Sequence, residues 1–165
     1  MIPFTNEELQ DLCDKVKDVK FGMLTTADDM RALTSRPLTL QQLDDEGRMW
    51  FFVSNQEQFT RELLNNPLAN LSFADVDDML FVSIAGYAEI VDDRAKAEEL
   101  WNVEAKAWFP NGVDDPHLAM LKFSIDTAEY WDTGSSKMVT LFAMARAALT
   151  GHPPKNVGEH RRIGS

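Results

Sequence analysis

The chain has one cysteine and three histidines in 165 residues. A lone thiol excludes an internal disulfide and agrees with a reducing compartment. Cys13 lies in an apolar-patterned segment with nothing nearby in sequence to lower its pKa, so it reads as a small buried hydrophobe rather than a nucleophile. His117, His152 and His160 show no metal-ligand spacing, and no zinc centre is expected. Basic residues are also scarce, 16 against 27 acidic, for a net charge of −11. That balance repels phosphodiester backbones and anionic lipid, and it argues against nucleic acid or a membrane as partner. No stretch approaches the ~18 uncharged apolar residues of a membrane span. The opening MIPFTNEELQDL lacks a basic segment followed by an apolar one, so a cytoplasmic location is expected. A glycine-rich phosphate loop is missing. Ser35, Ser54, Ser83 and Ser124 lie in or beside strand-like runs without the context of a nucleophile elbow, which argues against an acyl-transfer hydrolase.

What is present is a hydrophobic content of 44%, enough for the core of one domain. Residues 1–150 read as that domain. Residues 151–165, rich in Pro and Gly, read as a loosely ordered C-terminal tail. Thr5 and Glu8 form a capping box ahead of an apolar stripe of Leu9, Leu12, Cys13 and Val16, which predicts a helix ending near Val19. Strand-like runs follow at 21–27, 31–43, 48–54, 68–75 and 79–91. Asp-Asp pairs beginning at 28, 44, 77, 92 and 114 fall at the boundaries between elements and read as turns and caps rather than calcium ligands. A second helix is predicted over 56–65. A third, after Asp93, carries Leu100, Trp101, Ala105 and Trp108 on one side. Two further strands are expected at 118–125 and 128–132, then a helix with Met138, Leu141, Phe142, Ala145 and Leu149 at helical spacing before Gly151.

Successive antiparallel strands with short connections and a few helices describe a mainly β, α+β protein built on a small closed or half-closed barrel. In Arg48–Ser54 the alternation is lost: Trp50 and Phe52 point to one face, Phe51 and Val53 to the other, and both faces are apolar. A small barrel has one inside. The second face must meet helices or another subunit, and a homodimer is a reasonable expectation.

One residue stands out for chemistry. Arg36 sits in an otherwise neutral strand next to Pro37, whose missing N–H leaves part of that strand unpaired. Such a strand can present its backbone to a flat heterocycle. Composition alone favours the other reading, an Arg at the barrel rim paired with one of the many carboxylates.

The runs FGMLTT, SRPLTLQ, WFFVSN, NNPLANLSFAD, FVSIAGYAEIVDDRAKAEELWN, KAWFPNGVDDPHL and AEYWD span nearly the whole chain in order. Together they resemble the general-stress-protein branch of the pyridoxamine 5'-phosphate oxidase-like flavoproteins. The resemblance implies an antiparallel split β-barrel of Greek-key type with flanking helices, a homodimer, and FMN in two clefts between the subunits. It further implies that Arg36, Pro37, Leu38 and Thr39 lie along the flavin ring, with Arg36 near the phosphate, and that Phe52, Val53 and Ser54 form the next strand beside it. Lys106, Trp108 and Trp131 are the implied groups that close the cleft. Many relatives place Ser and Lys at the start of the helix after the WFF strand, where the phosphate binds. This chain has Glu57, Gln58 and Phe59 there, so Gln58 is the remaining uncharged cofactor-binding candidate and weaker FMN binding is expected.

No catalytic residue is assigned from the sequence. The tail lacks the Arg-x-His pattern with which pyridoxamine-phosphate oxidases grip substrate, so that activity is not expected. Two readings follow. One is a flavoprotein oxidoreductase of the general stress protein type, passing a hydride through FMN between a small-molecule donor and acceptor. The other is a non-enzymatic stress-response dimer that binds a flavin or related heterocycle weakly or not at all.

Overall fold

The computed structural model describes residues 4–133, 137–153 and 158–164. Helix α1 (Asn6–Val16) opens with the expected capping box, Thr5 accepting from the Glu8 N–H while the Glu8 carboxylate accepts from the Thr5 N–H. It buries Leu9, Leu12 and Val16 and stops at Lys17, short of Val19. Among the described residues seven strands follow: β1 (Phe21–Ala27), β2 (Leu33–Leu43), β3 (Arg48–Ser54), β4 (Leu68–Asp75), β5 (Leu80–Val91), β6 (Leu118–Asp132) and β7 (Glu159–Gly164). They run antiparallel in the order β3-β2-β1-β4-β5-β6, and pairing of β3 with β6 closes six of them into a split barrel. Leu24, Phe51, Leu71, Ile84, Leu121 and Phe123 fill its interior. The turn reading of the Asp pairs holds in detail. Asp28 takes the N–H groups of Met30 and Ala32, and Asp44 those of Glu46 and Arg48.

Several elements differ from expectation. The strands expected at 118–125 and 128–132 are one strand, β6, with a bulge at Asp126: Ile125 pairs with Gly86 and Thr127 with Ala85, leaving Asp126 over. Gly86 is needed there, because a Cβ on it would lie 2.1 Å from the Ser124 carbonyl oxygen. The third helix is two, α3 (Arg94–Leu100) and α4 (Val103–Trp108). Trp101 turns extended and Asn102 starts a new helix by accepting from the Ala105 N–H at 2.9 Å. The second helix shrinks to a single turn, α2 (Gln58–Glu62).

The stretch 159–164, expected within a loose tail, is β7. It pairs with the second half of β6 and places Ile163 in the core. The Tyr130 hydroxyl lies 2.9 Å from Asp11 and 3.2 Å from Glu159, so it joins α1, β6 and β7. Helix α5 (Lys137–Thr150) falls where the last helix was expected. The side chains of Met138, Leu141 and Phe142 lie outside the described residues, while Ala145 and Leu149 are exposed.

The two-faced strand is as expected. Met49, Phe51 and Val53 face the barrel interior, and Trp50 packs with Ala97 and Met120 against Phe52, Val91 and Leu100. Helix α3 of the same chain therefore covers the second face.

Candidate functional site

The split in the barrel lies between β2 and β3. Residues Leu33–Thr39 of β2 pair with β1, whereas pairing with β3 begins only at Leu40 and continues through Gln42 and Leu43 after a register shift. The first half of β2 thus has no strand on its other edge among the described residues. Pro37, which has no N–H to offer a ladder, suits that edge. All of β3 pairs with β6 on its other edge, while its far end, Phe52–Ser54, is not paired with β2. The short helix α2 closes the barrel mouth beneath the open edge, with Phe59 buried in the core.

Arg36 pairs with Leu24 across β1 and so shares the inward face of β2. Its guanidinium lies 4.5 Å from the centre of the Phe59 ring, a cation–π contact. Nη1 donates to the Leu24 carbonyl at 3.3 Å and the Thr26 hydroxyl at 2.8 Å. Nη2 donates to the Thr34 carbonyl at 3.1 Å and the Thr34 hydroxyl at 2.6 Å. Burial lowers the pKa of the guanidinium, while the nearby carboxylates of Glu62 and Glu57 act in the opposite direction.

The other candidate residues divide by location. Leu38 packs against the core, and Pro37 and Thr39 face outward opposite Met23 and Phe21. Phe52 meets the edge of Trp101 at 5.6 Å, and Val53 is buried. Ser54 accepts from the Gln56 N–H at 3.3 Å. Gln58 donates to Glu62 at 2.7 Å. Lys106 and Trp108 stand on α4, where Trp108 is 82% exposed. Asn102 and Lys96 anchor that excursion to Gln41 and Gln42 of β2. Trp131 lies apart, in the half of β6 that pairs with β5 and β7 rather than with β3, stacked on His160 of β7 at 5.0 Å. It lines a separate cleft of about 360 Å³. Within one chain, then, the β2, β3 and α2 residues gather at the split and Trp131 does not join them.

Three residues of the site, Thr26, Thr34 and Phe59, were not anticipated. Thr26 alternates with inward Leu24, and Phe59 precedes buried Leu63 by one helical turn, so both carry a periodic signal. Phe59 also corrects the reading of the helix start. It stands at the start of α2, where the resemblance implied a phosphate site, and its ring points into the core.

Outward-facing Phe21, Met23, Leu33, Leu68 and Tyr87 are all exposed on one side of β2-β1-β4-β5. Among them runs a cleft of about 420 Å³ lined by Thr25, Asn70, Ala85 and Asp126 as well. Among the described residues no helix is long and apolar enough to cross a membrane.

The family model described as pyridoxamine 5'-phosphate oxidase like matches residues 7–155. A curated relative, Protein bli-3 of Neurospora crassa, is 27% identical over 158 residues, which span 90% of this chain and 76% of that protein. A solved structure described as general stress protein 26, from Jannaschia sp. CCS1, superposes with a TM-score of 0.75 at 27% identity and covers 98% of this chain and 100% of its own. Another, described as the general stress FMN/FAD binding protein of Xanthomonas citri, is 31% identical with a TM-score of 0.69, covering 80% and 93% respectively.

Proposed function

Because the chain belongs to the pyridoxamine 5'-phosphate oxidase-like family, we propose that it is a flavin-binding general stress protein that works as a homodimer, holds a cofactor of the FMN type at the split, and acts as an oxidoreductase between small molecules. The observation that carries this reading is the open edge of β2 with Arg36 at its centre. A flavin ring is flat and bears hydrogen-bonding groups along its rim, and an unpaired strand edge offers matching backbone groups. The residues present fit that half of the cofactor. Support also comes from the Xanthomonas citri relative, which is described as binding FMN or FAD.

A bound flavin supplies hydride and electron transfer. The chain's own residues bind and orient. Thr26, Thr34 and Phe59 fix Arg36, and Arg36 fixes the strand that faces the ring. Phe52 and Ser54 bound the other side of the split, while Lys106 and Trp108 on exposed α4 stand ready to close a cleft shared with a second copy. The outward apolar surface of β1, β2, β4 and β5 is the face on which that copy packs. No acid–base pair is required of the protein, in keeping with the absence of a catalytic constellation in the sequence.

The carboxylates of Glu57 and Glu62, which act on the Arg36 guanidinium, favour a second reading, a non-enzymatic stress-response dimer that binds a flavin or related heterocycle weakly or not at all. One preparation separates the two. A yellow protein with about one flavin per chain, bleached by a reduced nicotinamide, supports the enzyme. Flavin uptake without bleaching by any donor supports the second reading. A protein that stays colourless in excess FMN refutes the enzyme and favours the second reading.

A further inference from the structure

Apart from Lys137, Thr140, Arg146 and Thr150, every residue of helix α5 is apolar. Met138, Leu141, Phe142, Ala145 and Leu149 recur at helical spacing, the pattern of a helix with a buried face. Over the half whose side chains are described, however, Met144, Ala145, Ala148 and Leu149 are all exposed, Met144 by 50% and Leu149 by 89%. These positions stand at i, i+1, i+4 and i+5, so they form one apolar side of the helix, with Arg146 and Thr150 across from it. A 14-residue helix is at the lower limit of what persists alone in water, and in a protein its stability comes from packing an apolar face. The exposed side therefore calls for a cover.

The place of α5 in the chain points to what that cover is. The helix follows β6 and precedes β7, and β7 pairs with the same end of β6 through Glu159 and Asp132, so both flanks of the excursion are held at one spot. There Tyr130 points into the core and Trp131 outward. Trp131 pairs with Phe81 of β5, which pairs in turn with Ala74 of β4. The outward side of β4 and β5, proposed above as the seat of a second copy, thus runs to the point from which α5 departs. Charge agrees. The only charged residues of α5 are basic, whereas the chain as a whole carries −11, so this helix is the part of one copy that another attracts. The same net charge opposes an anionic lipid surface as the cover.

Given the homodimer proposed above, on which this rests, we infer that α5 is a docking arm that each copy lays on the other, with the side formed by Met144, Ala145, Ala148 and Leu149 seated on the second copy at the border of the sheet interface. The arrangement is reciprocal, as a two-fold axis requires, so the stripe is covered twice in each dimer. Its burial adds apolar area to an interface that the long-range repulsion between copies opposes.

Two measurements test it. In the first, Leu149→Cys in a Cys13→Ala background carries a photo-cross-linker, and light chains are refolded together with isotopically heavy ones before irradiation. Peptide pairs joining a light chain to a heavy chain are expected from position 149. Cross-links found only within one isotope would show that α5 packs on its own chain and would overturn the inference. In the second, sedimentation compares Met144→Glu/Leu149→Glu with the wild type. Both positions are exposed in one chain, so circular dichroism should be unchanged while the dimer dissociation constant rises about tenfold or more. An unchanged constant in the folded variant would overturn the inference and leave a homodimer held by the sheet face alone. Wild-type binding to phosphatidylglycerol vesicles that is lost in this variant, with the dimer unaltered, would assign the stripe to a lipid surface instead. The cross-link decides if the double variant does not fold. A wild-type chain that stays monomeric at micromolar concentration would remove the homodimer itself, and the docking arm with it.

Discussion

Phe59 follows Glu57 and Gln58 in the chain, yet it is 6% exposed while its two predecessors face solvent. Its ring does two things: it plugs the mouth of the barrel and it carries the Arg36 guanidinium. Truncating a buried Phe costs about 3–5 kcal/mol through lost transfer energy and the cavity left behind. Phe59→Ala should fall in that range in urea unfolding. Phe59→Lys should destabilise the fold as well, because the charge would be driven into the core. The sequence did not reveal this: the resemblance implied a phosphate site at the helix start, and only the one-turn spacing to Leu63 hinted that Phe59 turned inward. Arg36 was legible as unusual, but its satisfaction by Thr26 and Thr34 was not, since those partners come together only through the β1–β2 register.

Tyr130 gives a second residue-scale prediction. It is almost wholly buried, and burial first, then its hydrogen bond to Asp11, pushes its pKa up to about 12. A phenol whose folded pKa lies above the unfolded value of ~10 holds its proton more tightly in the native state. Its contribution to stability is therefore complete below about pH 10 and disappears as pH rises from there through the folded pKa. The urea midpoint of the wild type should fall more steeply over that window than the midpoint of Tyr130→Phe, which has no proton to lose.

At the scale of elements, strand-like runs joined by connections rich in Asp and Gly located β1, β3 and β4 to the residue, and the Thr5–Glu8 box located the start of α1. The misses have local causes. Asp126-Thr127 interrupts the alternation, so one strand read as two, although the interruption is a bulge that the sheet absorbs opposite Gly86. Apolar residues at 101, 105 and 108 concealed the cap at Asn102, which breaks the helix. Residues 159–164 are mostly polar or charged and gave no strand signal beyond Ile163, because β7 needs β6 as its template. Two substitutions probe these features. Gly86→Ala directs a methyl group at a backbone oxygen that no rotamer change can move, so its cost should reach at least the upper end of overpacking penalties, about 3 kcal/mol. Ile163→Ala should cost about 2–5 kcal/mol if β7 belongs to the cooperative unit. Chemical denaturation followed by tryptophan fluorescence measures both, and an Ile163→Ala midpoint equal to wild type would show that β7 frays separately.

At the scale of the molecule, the case for a second copy rests on a different surface from the one the sequence first indicated. Helix α3 covers the second apolar face of β3, whereas Phe21, Met23, Leu33, Leu68 and Tyr87 remain on the outside of four neighbouring strands. An apolar sheet face of this kind is the expected core of an obligate interface, which typically buries more than about 2,000 Å² in total. Opposing it is charge, because each copy brings −11. The balance predicts a specific salt response. Association driven by apolar burial should strengthen as added salt screens the long-range repulsion between copies, the reverse of an interface held by ion pairs. Sedimentation of the wild type should show a dimer at micromolar concentration, tighter in 0.5 M than in 0.05 M salt on the order of the screening lengths involved. Met23→Asp/Leu33→Asp alters only exposed positions, so the chain should remain folded by circular dichroism while the dimer dissociates. If the flavin cleft is completed by Lys106 and Trp108 of the second copy, that monomer should lose flavin along with its partner. Full flavin affinity in a folded monomer would show that the split in one barrel is sufficient, and that the dimer serves some other purpose.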